Sequence, residues 1–259
     1  MFREEYPLTW EYHRNTCRWT HNILDLPDEK NQNTFYKEYS GKKIISLPGD
    51  DYPDAAIGSL IRQRHSCRSF AKYSLKLSEL SVILNSGYGV NAISCFENME
   101  FFERSVPSGG GLYPLELYVI TMDVDELKQG IYHYLIYPAG LEEIRTLEIN
   151  PQYIGDLFMN QPYVAPASAI VICTSVLRRN MLKYGDRGYR YILIEAGHCF
   201  QNMNLVAEGL DLGTLNLGGF FDTEIAALLD IDIEEEVPLY AIAIGKKQKK
   251  DKAGSRIPG

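Results

Sequence analysis

Four short segments carry residue types that can hold an anion, approach a flat ligand or move a proton. The first is Arg64-His65-Ser66-Cys67-Arg68. Two guanidinium groups and a hydroxyl within five residues can surround a phosphate, because arginine's planar fork meets phosphate oxygens bidentately. A basic helix end, set against the negative pole of the helix dipole, would look the same. The second is Pro107-Ser108-Gly109-Gly110-Gly111-Leu112-Tyr113-Pro114. Three consecutive glycines remove every β-carbon where main chain must come close to something flat or charged, and Ser108 adds a hydroxyl. A flexible turn before a strand is the alternative. The third is Lys183-Tyr184-Gly185-Asp186-Arg187. A lysine and a phenol side by side can transfer protons once burial or charge moves their pKa values. The same stretch also suits a charged, aromatic helix start capped by Asp186. The fourth is Leu217-Gly218-Gly219-Phe220-Phe221-Asp222. Its diglycine can offer bare backbone N–H groups to a ligand edge, with Asp222 as a helix N-cap, although an ordinary strand-to-helix turn has the same composition.

The elements that must position these segments follow from apolar periodicity. Ala56, Ile57, Leu60 and Ile61 recur at helical spacing, with Asp51 or Asp54 as the candidate cap, so the arginine segment closes a helix. A second helix is predicted over 78–86. Residues 115–122 and 130–137 are rich in strand formers and read as neighbouring strands with a short connection, which places the glycine segment just before a strand. The run 167–173 suits a buried strand. Residues 187–210 suit a long helix, apolar almost all round from Tyr191 to Cys199 and therefore expected at the centre. Residues 212–217 and 238–244 are further strands, with a helix over 223–229 between them. Strands and helices mix without regular β-α-β alternation, so the class is α+β. Residues 1–50 are polar and aromatic, with breakers at Pro27, Gly41, Pro48 and Gly49. They read as an N-terminal arm or subdomain on a main domain over 51–259. The acidic stretch 230–236 reads as a solvated loop and the basic cluster 246–252 as a soluble tail.

Several functions are excluded. The 259 residues carry a net charge of −8, which argues against nucleic acid as the main partner. No apolar run approaches the roughly 18 residues of a membrane span. Residues 1–10 lack the basic-then-apolar layout of a signal peptide. Cys17, Cys67, Cys95, Cys173 and Cys199 form no Cys-x-x-Cys pair and no metal spacing, and neither do the five histidines, so no metal is expected and a reducing cytoplasm is the expected setting. Gly87-x-Gly89 imitates a dinucleotide fingerprint, but a predicted helix precedes it instead of a strand, and without that context the mechanism fails.

Taken in order, the four segments resemble the nitroreductase family, and most of all its SagB-type branch, which includes thiazole- and oxazole-forming azoline dehydrogenases. The likeness runs from about Ile57 to Gly245. Arg64-x-Ser66-x-Arg68, residues 107–114, Lys183-Tyr184-Gly185-Asp186-Arg187-x-Tyr189-Arg190-Tyr191 with Glu195-Ala196-Gly197-His198 and Gln201-Asn202, then Gly218-Gly219-Phe220 and Pro238-Leu239-Tyr240 carry it. The resemblance implies a mostly antiparallel central sheet flanked by helices, in an entwined homodimer that binds FMN. Arg64, His65, Ser66 and Arg68 would hold the phosphate and ribityl chain. Pro107, Ser108, Gly109 and Gly110 would contact the flavin, often from the partner subunit. Gly218 and Gly219 would present N–H groups near flavin N5 and O4. Arg256 most nearly matches a C-terminal phosphate contact, with Gly254 where a second basic residue is expected. Lys183 and Tyr184 match the catalytic pair of azoline dehydrogenases, one of them abstracting a ring proton while hydride passes to the flavin.

The function this implies is two-electron oxidation of an azoline ring in a peptide to an azole, with a cyclodehydratase complex as a further partner. The same class also contains NAD(P)H-dependent reductases of nitroaromatics or quinones, in which NAD(P)H binds transiently over the flavin. From a different class, the chain would be a flavin-binding assembly subunit of a peptide-modifying complex.

Overall fold

The computed structural model describes residues 2–17, 36–49, 51–96 and 99–248. In chain order the helices are α1 (Phe2–Glu5), α2 (Pro7–Thr16), α3 (Ile57–Gln63), α4 (Leu77–Tyr88), α5 (Pro151–Leu157), α6 (Arg178–Tyr184), α7 (Arg187–Gly209) and α8 (Asp222–Leu229). The strands are β1 (Ile44–Ser46), β2 (Phe70–Ala71), β3 (Val90–Phe96), β4 (Met99–Arg104), β5 (Leu115–Thr121), β6 (Gly130–Ile136), β7 (Ala139–Thr146), β8 (Ala169–Val176), β9 (Leu212–Leu217) and β10 (Glu236–Lys247).

The main sheet runs β1-β7-β6-β5-β8-β10-β2, with β9 also paired to β10, and every named pairing is antiparallel. A separate hairpin joins β3 to β4. The central strands are buried on both faces, which is why they read as continuous apolar runs. Leu115, Leu117 and Val119 of β5, with Val171 and Cys173 of β8, face a core shared with α4 and α7. Tyr118 and Ile120, with Ile170 and Ile172, face the opposite core beneath α5 and α8. Period-two alternation of the side chains divides each strand between the two cores.

The long helix α7 lies where it was expected, and its packing corrects one expectation. Ile192, Glu195, Ala196, Cys199, Phe200, Met203 and Ala207 form one buried stripe. Leu193 and Ile194 are 45% and 56% exposed in the single chain. The apolar residues counted from Tyr191 to Cys199 therefore belong to two faces of the helix, and only one of them meets the core. Helix α4 crosses α7 closely at Gly87, where a β-carbon would fall 2.2 Å from Met203 Cε. That close approach accounts for the first glycine of the false dinucleotide motif, which lies inside the last turn of α4 and not after it.

Other expectations needed correction. Neither Asp51 nor Asp54 caps α3, whose N-cap is Ala56. Phe221 occupies the N-cap of α8, and Asp222 is its first helical residue. Asp186 holds the N-cap position of α7 without a side-chain cap bond. Glu236, assigned to a solvated acidic loop, is buried in β10, where Lys37 Nζ lies 2.7 Å from Oε2 and Thr174 Oγ1 donates to Oε1 at 2.5 Å. Lys246 and Lys247 are part of β10 and not a tail, and they pair with Asp211 and Glu208. The N-terminal segment contributes β1 to the sheet edge, and Arg187 of α7 donates to the carbonyl of Thr16 at the end of α2.

Candidate functional site

The glycine segment becomes a short 3-10 turn, Gly109–Gly111, between Ser108 and β5. Gly110 has φ +71°, a conformation that side-chain-bearing residues rarely adopt. A β-carbon there would lie 2.5 Å from Tyr184 Oη and 2.9 Å from Lys183 Nζ. Its conformation calls for glycine at this position, and any side chain there would also have to displace the ends of Tyr184 and Lys183. The turn thus meets the Lys183-Tyr184 pair directly.

That pair ends α6, which Gly185 terminates at φ +58°. Tyr184 is half-buried and stacks edge-on against Tyr191 of α7 at 5.0 Å, whereas Lys183 is exposed. One helical turn before Lys183, Arg179 is buried. Its guanidinium lies 2.6 Å from Glu116 Oε1 and donates to the carbonyl of Tyr113, which closes the glycine turn. Glu116 continues to His133 Nε2 at 3.1 Å, and His133 Nδ1 meets Glu142 at 2.7 Å. Burial alone would raise the Glu116 pKa, but Arg179 and His133 outweigh it and bring the carboxyl down to about 2. For His133 burial favours the neutral ring, and the two flanking carboxylates overcome it and raise the pKa. A buried chain of alternating charge thus anchors both the turn and α6.

A second buried group stands behind the turn. Ser108 Oγ donates to Glu195 Oε2 at 2.5 Å and accepts from the N–H of Tyr113 at 2.9 Å. Tyr88 Oη donates to Glu195 Oε1 at 2.6 Å and accepts from the N–H of Leu115 at 3.1 Å. Glu195 is 1% exposed and, among the described residues, makes no ion pair. Burial pushes its pKa up to about 7 against the opposing pull of Ser108, Tyr88 and Arg104. The Arg104 guanidinium lies over the rings of Tyr88 and Tyr113, 4.3 and 4.6 Å from their centroids.

The arginine and diglycine segments meet β9 at different points along its length. Arg64 is the C-cap of α3, and the following chain runs beside β9, where Ser66 bridges Thr214 and the N–H of Cys67 donates to the carbonyl of Thr214 at 2.8 Å. Arg64 is half-buried, Ser66 and Arg68 are exposed, and neither arginine forms an ion pair among the described residues. At the far end of β9, Gly218 lies under Tyr240 and Gly219 beside Met159 and Gln161. Two polar atoms here, His65 Nε2 and Asn216 Oδ1, are shielded from water and lack a partner among the described residues. The carbonyl of Gln63, 3.1 Å from His65 Nδ1, can only accept, so Nδ1 donates to it and Nε2 is the ring nitrogen left over. Two guanidinium groups, a hydroxyl and an orphaned ring nitrogen within one short segment fit a phosphorylated, hydroxylated ligand such as FMN.

The structure therefore brings the predicted residues together as two sets. Ser108, Gly109 and Gly110 join Lys183 and Tyr184 at the level of Tyr191 and Glu195 on α7. Arg64, His65, Ser66 and Arg68 join β9 at the level of Asn204, which accepts from Thr214 Oγ1 at 2.7 Å. The thirteen positions from Tyr191 to Asn204 rise about 20 Å along α7. No described contact links the two sets within one chain. Pro107 is exposed at the entrance to the turn, and Arg256 lies outside the described residues. Sequence reasoning assigned no role to Tyr88, Arg104, Glu116, His133, Arg179 or Glu195. Glu195 alone left a signal, an acid on the apolar stripe of a helix. Among the described residues, no His, Cys, Asp or Glu group could hold a metal ion, and no helix is long and apolar enough to cross a membrane.

The model of the nitroreductase family matches residues 61–246. MJ1384 of Methanocaldococcus jannaschii, a protein named for the nitroreductases, is 34% identical over 203 residues, 78% of this chain and 96% of its own. The microcin B17-processing protein McbC of Escherichia coli is 31% identical over 150 residues, and the match spans about half of each chain, 55% of this one and 54% of McbC. Among solved structures, a nitroreductase-type protein from Anabaena variabilis superposes with a TM-score of 0.71 at 25% identity, over 92% of this chain and 47% of its own. A chain of the E. coli microcin synthetase McbBCD complex, bound to truncated pro-MccB17, shares the fold with a TM-score of 0.62 at 22% identity, covering 92% of this chain and 87% of that one. With the family model matched over residues 61–246 and MJ1384 matched over nearly its whole length, this chain belongs to the nitroreductase family of flavin oxidoreductases.

Proposed function

We propose that this chain is an FMN-dependent dehydrogenase that oxidises azoline rings in a peptide to azoles, working as a homodimer. One observation carries the reading: Tyr184 Oη and Lys183 Nζ both abut the glycine turn, within 2.5 and 2.9 Å of the position a Gly110 β-carbon would take. Two groups able to move protons stand where main chain is bared to a flat ligand, as a dehydrogenation that removes a ring proton together with a hydride requires. FMN, when bound, supplies the two-electron acceptor. Arg64 and Arg68 grip its phosphate, His65 and Ser66 its ribityl hydroxyls, and Gly218 and Gly219 lend backbone N–H groups, with Arg256 as a further phosphate contact. Lys183 or Tyr184 takes the substrate proton.

The homodimer reading rests on the separation of the two sets along α7 and on the outward apolar residues Leu193 and Ile194. A second copy brought against that face would let the Ser108–Gly110 turn of one chain cover the flavin held by Arg64 and Arg68 of the other. Lys183 and Tyr184 move with that turn, so they would serve the partner's flavin. The likeness to McbC, a peptide-processing protein, favours a modified peptide as substrate and a cyclodehydratase complex as partner.

A second reading, an NAD(P)H-dependent nitro or quinone reductase, draws on the likeness to MJ1384, of which the match spans nearly the whole length. The test is to purify the chain with FMN and supply a peptide containing a thiazoline or oxazoline. Loss of two hydrogens by mass spectrometry, abolished in Lys183→Ala and Tyr184→Phe together, supports the dehydrogenase. Flavin bleaching by NAD(P)H with no change in the peptide supports the reductase instead. A flavin-loaded protein inert in both assays, yet required by a cyclodehydratase, is an assembly subunit.

A further inference from the structure

The hydrogen-bond arithmetic around Ser108 leaves its hydroxyl with only two arrangements. Tyr88 Oη accepts from the N–H of Leu115, so its own proton goes to Glu195 Oε1, and burial holds the Tyr88 pKa far above the usual phenol range. Oε1 is therefore an acceptor whatever the state of Glu195. Any proton on the carboxyl sits on Oε2, facing Ser108 Oγ at 2.5 Å. Ser108 has one proton and two lone pairs, and the N–H of Tyr113 occupies one lone pair. With Glu195 ionised, Ser108 gives its proton to Oε2 and keeps one lone pair free. With Glu195 neutral, Oε2–H donates to Ser108, both lone pairs are used, and the Ser108 O–H is released.

We propose that Glu195 is a positioning residue that sets the polarity of the Ser108 hydroxyl toward bound flavin, so that neutral Glu195 turns Ser108 into a donor and ionised Glu195 turns it into an acceptor. This rests on the reading above, in which Ser108 contacts FMN. Most flavin heteroatoms and phosphate oxygens accept hydrogen bonds, so FMN favours the donor state and draws a proton onto Glu195. The environment lets Glu195 occupy either state near neutral pH. Tyr88 faces it from α4, Arg104 from β4, Ser108 from the glycine turn with Tyr113 behind it, Cys173 from β8 and Cys199 from its own helix. Arg104 is the one cation in that set, and it is also engaged over the Tyr88 and Tyr113 rings. Burial pushes the carboxyl up, the hydrogen bonds from Ser108 and Tyr88 and the Arg104 charge pull it back, and its pKa stands at about 7.

Glu195→Gln tests the switch, because its amide oxygen can accept from Tyr88 while its NH2 donates to Ser108, which locks the neutral-state polarity. FMN affinity is measured by quenching of flavin fluorescence across neutral pH. In the parent protein the Kd is expected to rise with pH, by up to about tenfold per pH unit above the Glu195 pKa. Glu195→Gln is expected to bind with the parent's acid-limit affinity and to lose that rise. The FMN phosphate's own titration is common to both proteins and drops out of the comparison. Infrared spectroscopy of the parent alone gives a second readout: adding FMN at neutral pH should increase the carbonyl band of a protonated carboxyl. A pH profile shared by both proteins, Glu195→Gln fixed at the weaker alkaline limit, or no infrared change on binding each overturns the switch. A protein that takes up no FMN at any pH overturns the functional reading along with it.

Discussion

Arg179 and Glu116 form an ion pair at 2.6 Å with both side chains buried, one helical turn from Lys183 and next to the carbonyl that closes the glycine turn. The pair ties α6 to β5, so the placement of Lys183 and Tyr184 at the end of α6 depends on it. Removing one member leaves the other buried without its partner, which typically costs about 3–5 kcal/mol. Arg179→Ala is expected to lower the denaturant midpoint by that order. Arg179→Met with Glu116→Gln in the same chain should recover part of the loss. Equal stability of Arg179→Ala and the parent in urea titrations would show that the pair anchors nothing.

Gly110→Ala combines a left-handed backbone, costing about 1–3 kcal/mol for a residue with a β-carbon, with a contact 2.5 Å from Tyr184 Oη. The turn or the phenol must yield. Loss of dehydrogenation well beyond the loss of stability is the expected outcome, with FMN binding weakened as well. Gly111→Ala serves as the control, since it shares the positive φ but meets nothing within 4 Å. The two variants should be similarly destabilised in thermal melts and differ in activity.

His133 is expected to contribute to the alkaline limb of stability. Its pKa is raised in the folded protein by Glu116 and Glu142, so its contribution is complete below the unfolded value of about 6.5 and is lost as pH rises through the folded value. Glu116 behaves in the opposite sense. Its contribution is present above the ordinary carboxylate range and is lost as pH falls toward about 2. Chemical denaturation at stepped pH should show stability declining above about pH 6.5 in the parent and a flatter alkaline limb in His133→Gln. Parallel limbs in the two proteins would assign the decline to another group.

The parts legible in the sequence were those whose signal is local. The runs through Leu115 and Val171 announced buried strands because both faces are covered, and the limits of α7 followed from its periodicity. The β3–β4 hairpin escaped because neither glycine nor proline separates its strands and much of it faces solvent. The predicted caps failed for a similar reason: whether Asp54 or Asp222 reaches a free N–H depends on backbone angles that residue type does not fix. Within the site, Gly110 and Lys183-Tyr184 were visible as unusual residues, but not that they touch. Tyr88, Arg104, Ser108 and Glu195 converge from two helices, a strand and the residue before the glycine turn, and no spacing rule connects them. Only the carboxyl of Glu195 among Ile192, Ala196 and Cys199 broke a local pattern.

The division of the site along α7 makes the arrangement of subunits testable. Leu193→Glu with Ile194→Glu places charge on the outward apolar face, and equilibrium sedimentation should then report a monomer that no longer retains FMN. Hybrid dimers test which chain supplies which half. Arg64→Ala with Arg68→Ala disables the phosphate side, and Lys183→Ala with Tyr184→Phe disables the proton-transfer side, so each homodimer should be inactive. If the halves come from different chains, a mixed dimer gathers both lesions into one site and leaves the other intact. Mixing should then restore activity to as much as half that of the parent per mixed dimer. If each chain builds its own site, both sites of the mixed dimer carry a lesion and no activity returns. Recovery on mixing would place Lys183 and Tyr184 over the flavin of the neighbouring subunit.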